Sequence, residues 1–232
     1  LRGNAIQVGY VLGALWQATP ALSLGVSYRS EMRQNLKGYE LFNYDTAGIG
    51  SALNGLTGAL SDSRGNARVP LPAQVNAGAR YDVGNGWTAL AGVEYTGWNT
   101  FKQLVATSAN PANPANLTVT NWRATWFGSL GAEYRPDDRW TFRAGTAYDE
   151  AAVPKANLEP RIPDADRYWL ALGVGYHWND HTDINVAYDH LFTPHSTVRQ
   201  SESETGNSLR GSLDGVSTTD ANLVGLQLVY HE

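Results

Sequence analysis

Trp140-Thr141-Phe142-Arg143-Ala144-Gly145-Thr146-Ala147-Tyr148-Asp149 alternates without a break. Its even positions are aromatic, small or uncharged, and its odd positions carry Arg143 and Asp149. A strand sends the two sets to opposite faces. One face is therefore uncharged with aromatic residues at its ends, and the other is polar. The pattern recurs in nine segments, at 6–17, 21–35, 69–82, 87–98, 119–135, 139–149, 166–178, 181–192 and 221–231. Within them the apolar parity holds sets such as Leu22, Leu24, Val26, Tyr28 and Ala89, Ala91, Val93, Tyr95. The longest are Tyr168, Leu170, Leu172, Val174, Tyr176, Trp178 and Ala124, Trp126, Gly128, Leu130, Ala132, Tyr134. The opposite parity holds Arg29, Glu31, Arg33, Arg80, Asp82, Glu94, Arg123, Glu133, Arg135, Asp149, Arg167, Asp183 and Asp189. Charges of both signs share that face and can pair across strands.

A soluble β-sandwich would alternate in the same way. Two features favour a membrane. Tyr or Trp caps the apolar sets at strand ends, where a membrane interface favours them. The segments are also ten residues or longer, against a usual soluble length of about 5–6. The sequence thus reads as all-β, a transmembrane antiparallel β-barrel with a lipid-facing outside and a wet lumen.

Composition agrees. The 232 residues carry a net charge of −5, which points to no nucleic-acid partner. Mean hydropathy is −0.35, and no apolar run of 18 residues exists for a transmembrane helix. Alternation hides barrel strands from such averages. Cysteine is absent, which excludes disulfides and thiolate metal sites, while Tyr (12) and Trp (8) outnumber Phe (5).

The connections alternate in length. Short turns fall at 18–20, 83–86, 136–138 and 179–180, and long ones at 36–68, 106–118, 150–165 and 193–220. Outer-membrane barrels have short periplasmic turns and long outer loops. The long connections are therefore assigned to the outside. Leu53, Leu56 and Leu60 have helical spacing and predict a short amphipathic helix in 36–68. Loop 193–220, rich in Ser, Thr and Gly, reads as mobile.

Several segments then carry a resemblance: Leu71-Pro72-Ala73, read as opening a strand; Tyr95-Thr96-Gly97-Trp98-Asn99-Thr100-Phe101; Asn121-Trp122-Arg123; Gly131-Ala132-Glu133-Tyr134-Arg135-Pro136; and Ile162-Pro163-Asp164-Ala165-Asp166-Arg167-Tyr168-Trp169-Leu170. In this order and spacing the chain resembles the C-terminal half of the FadL-type outer-membrane transporters of long-chain fatty acids and other hydrophobic compounds. The resemblance implies about the last nine strands of a 14-stranded barrel, with residues 1–232 as its C-terminal portion and the N-terminal hatch and first strands outside the chain. It implies a passive channel in the outer membrane, a monomer at full length. Its partners would be a hydrophobic ligand, a long-chain fatty acid or aromatic hydrocarbon, and the surrounding lipid. It implies no cofactor and no enzymatic activity. Barrels of this type usually end in an aromatic residue, and here Glu232 stands in that place.

Candidate ligand residues follow. Arg167 matches an arginine of the family's Pro-Asp-x-Asp-Arg segment and could pair with a carboxylate, or with Asp164, Asp166 or a neighbouring strand. Arg143 and Arg123 share its parity and fit an ion-pair lattice as well. Trp98 and Phe101, where a strand leaves the barrel, could line an apolar groove with Leu53, Leu56 and Leu60, with Lys102 adjoining for a carboxylate. Two other readings remain. A general porin or adhesin would share the barrel, but no loop is strongly acidic. A lipid hydrolase would need a nucleophile such as Ser196 beside His190, yet no G-x-S-x-G elbow occurs. The five histidines form no close metal-ligand pair with acidic support.

Overall fold

The computed structural model describes residues 2–44, 46–113, 116–203 and 211–231. Along the chain the strands are β1 (Arg2–Asn4), β2 (Val11–Thr19), β3 (Leu22–Arg29), β4 (Met32–Glu40), β5 (Ser63–Leu71), β6 (Gln74–Gly84), β7 (Trp87–Thr96) and β8 (Gln103–Ser108). They continue with β9 (Asn116–Val119), β10 (Thr125–Tyr134), β11 (Trp140–Asp149), β12 (Arg167–Asn179), β13 (Thr182–Phe192), β14 (Ser196–Gln200), β15 (Leu213–Ser217) and β16 (Asp220–Tyr230). One helix, α1 (Ile49–Thr57), lies between β4 and β5. No helix among the described residues is long and apolar enough to cross a membrane.

The nine alternating segments form one antiparallel sheet in the order β16-β13-β12-β11-β10-β7-β6-β3-β2. Neighbours in sequence are neighbours in space, as hairpins joined by short turns require. The register keeps the two parities apart across the sheet. Leu130 faces Ala91 and Thr146, and Leu172 faces Ala144 and Tyr188. On the other face Glu133 opposes Arg143, and Asp149 opposes Arg167.

Aromatic rings form two rows on the apolar face. Near the long connections stand Tyr10–Tyr28, Tyr95–Trp126 and Tyr148–Tyr168, with centroids 5.9, 5.1 and 5.3 Å apart. Near the short turns stand Trp87–Tyr134 and Trp140–Tyr176, at 4.5 and 4.6 Å. On β12 the two rows lie at Tyr168 and Tyr176, about 26 Å apart along the strand. With strands tilted by about 40° this spans roughly 20 Å, close to the apolar band of a membrane barrel. Leu170, Leu172 and Val174 between them are exposed.

Several expected boundaries move. The segment 6–17 becomes a strand only from Val11. Segment 21–35 breaks at Ser30, whose hydroxyl accepts the Tyr10 N–H and whose own N–H donates to the Tyr10 carbonyl, both at 3.0 Å. Glu31 and Arg33 therefore lie beyond the large sheet, though the pairing resumes in the same register, Arg29 with Gln74 and Arg33 with Pro70, so their parity is kept. Segment 69–82 breaks at Pro72, which has no N–H to give a ladder. Leu71-Pro72-Ala73 thus separates β5 from β6. Segment 119–135 divides into β9 and β10, with Asn121 at φ 46° between them. The freed ends build a second sheet, in the order β1-β4-β5-β8-β9. Most of the long connections are therefore ordered by strand pairing rather than irregular. Loop 193–220 likewise carries the β14–β15 hairpin, while its residues 204–210 lie outside the described residues, as does Glu232.

The helix expected in 36–68 forms as α1, stopped by Gly58 at φ 69°, whose N–H donates to the Asn54 carbonyl at 2.8 Å. Leu60 falls beyond it at φ 60°.

The short turns depend on close backbone approach. Gly86 has φ 81°, and a Cβ there would collide with the Arg135 carbonyl, while the Arg135 N–H donates to the Gly86 carbonyl at 2.9 Å. Gly86→Ala is expected to lower unfolding stability by about 1–2 kcal/mol from the left-handed backbone alone. Urea unfolding followed by tryptophan fluorescence checks this, and an unchanged midpoint would contradict it.

Candidate functional site

The region where the strands leave the large sheet is built by three connections. Thr96 ends β7, and a single 3-10 turn over Trp98–Thr100 leads to β8. The Phe101 N–H donates to the Trp98 carbonyl at 2.9 Å, and the Trp122 N–H donates to the Phe101 carbonyl at 3.1 Å. These bonds bring three rings together. Trp98 and Phe101 each pack edge-on against Trp122, with centroids 4.9 Å apart. Trp122 in turn rests on buried Val153, Leu158 and Val198. The sequence pairing of Trp98 with Phe101 thus appears in space, but Trp122 joins them. Trp122 had a signal in Asn121-Trp122-Arg123, but its parity could not tell which ring it would meet.

Leu53 and Leu56 are exposed on α1, which has no buried residue. The segment that follows α1 is tied instead to the tip of the β8–β9 hairpin. Buried Asn113 donates to the Ser61 carbonyl at 2.8 Å and to Ser108 Oγ at 2.9 Å, and Asn110 donates to the Gly58 carbonyl at 2.9 Å.

Lys102, following Phe101, lies on a cleft of about 840 Å³. Arg33 and Arg68 line it from neighbouring strands, and Val69, Pro70 and Val105 supply apolar surface. Glu31 shares this cleft and accepts from Arg33 Nε at 2.6 Å. That hydrogen bond and charge raise the already high Arg33 pKa. Arg33 and Arg68 converge here only because the breaks at Ser30 and Pro72 swing β4 and β5 into the second sheet.

Arg167 is engaged by carboxylates. Its Nε donates to Asp149 Oδ2 at 2.8 Å across the β11–β12 pair, and a terminal nitrogen donates to Asp164 Oδ1 at 3.1 Å. Asp164 also accepts the Val153 N–H at 3.0 Å, and Asp166 accepts the Ala151 N–H at 2.8 Å and the Tyr148 hydroxyl at 2.9 Å. The Pro-Asp-Ala-Asp-Arg segment therefore staples the 150–154 connection to the rim. Arg123 Nε donates to the Ala151 carbonyl at 2.9 Å of the same connection. Arg143 donates to Glu133 Oε2 at 2.8 Å and to Asn185 Oδ1 at 3.2 Å, deeper on the polar face.

Ser196 and His190 have separate partners. Ser196 is buried and donates to the Pro163 carbonyl at 3.4 Å, whereas His190 Nδ1 pairs with Asn222 Oδ1 at 2.8 Å on the apolar face. Among the described residues no group of three or more His, Cys, Asp or Glu is placed to hold a metal ion.

Comparison with known proteins places this architecture. The chain is 31% identical over 194 residues to the long-chain fatty acid transport protein of Escherichia coli K12, covering 82% of the chain and 43% of that protein. The chain thus spans less than half the length of this curated relative. A crystal structure of a Pseudomonas aeruginosa FadL homologue superposes with a TM-score of 0.85 at 29% identity, over 96% of the chain and 52% of the homologue. The TodX monoaromatic hydrocarbon channel, as a deltaS2 mutant, shares the fold with a TM-score of 0.60 at 18% identity, over 97% of the chain and 50% of that channel. The apolar face with its two aromatic rows is therefore the lipid-facing side of an outer-membrane β-barrel, and the charged face lines its lumen. The family model for outer membrane protein transport proteins (OMPP1/FadL/TodX) matches residues 1–231, and the chain belongs to that family.

Proposed function

We propose that this chain forms the C-terminal wall and outer rim of a passive outer-membrane channel for hydrophobic molecules, with long-chain fatty acids as its substrates. The observation that carries the substrate class is the cleft at Lys102. It sets Arg33, Arg68 and Lys102 beside Val69, Pro70 and Val105 in about 840 Å³. A fatty acid needs both kinds of surface. Its carboxylate is held by charge-assisted hydrogen bonds and its chain by apolar contact. The Trp98–Phe101–Trp122 cluster adjoins Lys102 through Phe101 and offers further apolar surface towards the barrel. The 31% identity to a long-chain fatty acid transport protein supports the same reading. An uncharged aromatic hydrocarbon would have no use for three cations.

In cells relying on the full-length protein, Lys102→Glu with Arg68→Glu is expected to reduce uptake of radiolabelled oleate about tenfold, the loss of roughly one charge-assisted hydrogen bond. Uptake of toluene should stay within about twofold on the same scale. Equal loss of both would identify a general defect of the rim, and loss of neither would remove the cleft from the route. Heat-modifiable migration on gels verifies that each variant has assembled.

A further inference from the structure

Most of the buried apolar side chains lie in neither of the two larger sheets. Of the six buried hydrophobic residues among those described, four, Ala151, Ala152, Val153 and Leu158, belong to the connection between β11 and β12. A barrel wall has lipid on one side and water on the other and so little interior of its own. A connection buried this fully must be held down by something. Two carboxylates from the start of β12 hold it. Asp164, whose side chain is only 9% exposed, accepts the Val153 N–H, and Asp166 accepts the Ala151 N–H. Arg167 orients Asp164 and is itself anchored by Asp149.

The connection in turn carries the segment that precedes β10. The Arg123 N–H donates to the Ala152 carbonyl and Arg123 Nε to the Ala151 carbonyl, each at 2.9 Å. Asn157 Nδ2 donates to the Val119 carbonyl at 3.2 Å, and Trp122 rests on Val153 and Leu158. Residues 120–122 then close on the chain that bears the cleft cation. The N–H groups of Thr120 and Asn121 both donate to the Lys102 carbonyl, at 3.0 and 2.9 Å. The Thr120 hydroxyl and the Trp122 N–H donate to the Phe101 carbonyl, at 2.7 and 3.1 Å. Phe101 and Lys102 belong to no strand or helix, so these four bonds largely set where their backbone lies. Each link from Asp164 to Lys102 is a hydrogen bond or a buried apolar contact.

We propose that Asp164 and Asp166 are positioning residues for the entry cleft, fixing Lys102 through Ala151–Val153 and Trp122 without touching the ligand. The proposal rests on the reading of that cleft as a carboxylate site. Arg167 acts with them, because its guanidinium is already occupied by Asp149 and Asp164. A cation on an irregular stretch of chain binds weakly unless its backbone is fixed beforehand, since ordering it on binding costs conformational entropy. Removing either carboxylate strands a buried N–H of the connection and loosens everything that hangs from it.

The test places Asp164→Ala and Asp166→Ala in the full-length protein, with heat-modifiable migration as the check on assembly. Amide hydrogen exchange at Thr120, Asn121 and Trp122 is expected to quicken about tenfold in both variants, while β13 exchanges as before. Uptake of radiolabelled oleate should need about fivefold more oleate for its half-maximal rate, with the maximal rate within about twofold. Asp164→Asn, which keeps an oxygen for the Val153 N–H, should recover part of both losses. In a Lys102→Gln background Asp164→Ala should add less than about twofold, because misplacing a cation already removed costs nothing. Unaltered exchange at 120–122 overturns the proposal whatever uptake does. So do losses that multiply in the double variant, which would give Asp164 a role apart from Lys102. Quickened exchange with normal oleate uptake by Lys102→Gln alone would sustain the hold on Lys102 and remove the cleft from the route, so the two readings fail separately.

Discussion

Replacing Leu172 by Arg is expected to destabilise the barrel by about 2–4 kcal/mol, the range for a cation near the bilayer midplane on the lipid side. Leu172 sits midway between the aromatic rows on β12 and is 53% exposed, a surface that lipid covers in the membrane. Its register neighbours Ala144 and Tyr188 offer a new guanidinium no counter-charge. The adjacent substitution Ala171→Arg provides the contrast. Ala171 points into the lumen and faces Asp189 across the β12–β13 pair. Arg at 171 gains a partner in a wet environment and should change stability by less than about 1 kcal/mol. Urea unfolding in liposomes, with tryptophan emission as the readout, compares the two. Equal costs would mean that the faces have been assigned wrongly.

Arg143→Met carries the second large effect, by a different cause. Glu133 is 8% exposed on the lumenal side. Arg143 Nε supplies its one directed hydrogen bond, at 2.8 Å to Oε2. Arg135 also lies 2.8 Å from Oε1, yet that oxygen has no properly aligned hydrogen-bond donor. Removing Arg143 leaves a buried carboxylate with charge contact but no good geometry. Breaking a buried pair from one side costs about 3–5 kcal/mol. Arg143 is itself partly open to the lumen, so about 2–3 kcal/mol is expected here. Glu133→Gln together with Arg143→Met should recover more than half of the loss, because the neutral amide no longer needs a cation. The same liposome unfolding assay reads both variants. A double variant no more stable than the single one would show that the cost comes from lost packing rather than the stranded charge.

Alternation alone was enough to locate the membrane wall. Every one of the nine segments contains a strand of the large sheet, and Arg143 and Arg167 stand on the lumenal parity that Trp140–Asp149 and its neighbours imply. This worked because a strand crossing a bilayer cannot place a charge on its lipid side cheaply, so the constraint is written into every second residue. The strand ends were harder to read. Nothing in the pattern at 21–35 tells that Ser30 will bond to Tyr10, twenty residues earlier, and stop the ladder. Pro72 had a visible signal, since a proline inside a strand argues for a break, yet it was read as a beginning.

The site was legible only in parts. Trp98, Phe101 and Lys102 are consecutive or nearly so, and local spacing suffices to group them. Leu53 and Leu56 showed helical spacing, and α1 forms, but spacing cannot tell what a helix will pack against. Arg68 gave no sign of being a site residue, because its cleft partners Arg33 and Lys102 lie more than 30 residues away on other segments, and Trp122 could not be matched to its ring partners Trp98 and Phe101, more than 20 residues earlier.

By itself, then, the sequence determined the parity of each strand, the alternation of short and long connections, and through them a membrane barrel with a charged lumen. These are local constraints, imposed residue by residue by the solvent on each face. Only the tertiary structure decided that the long connections rise as a second sheet and that Arg33, Arg68 and Lys102 share one cleft. Those outcomes depend on where ladders stop and which strands then pair, and cross-strand register is a property of two distant segments that neither carries alone.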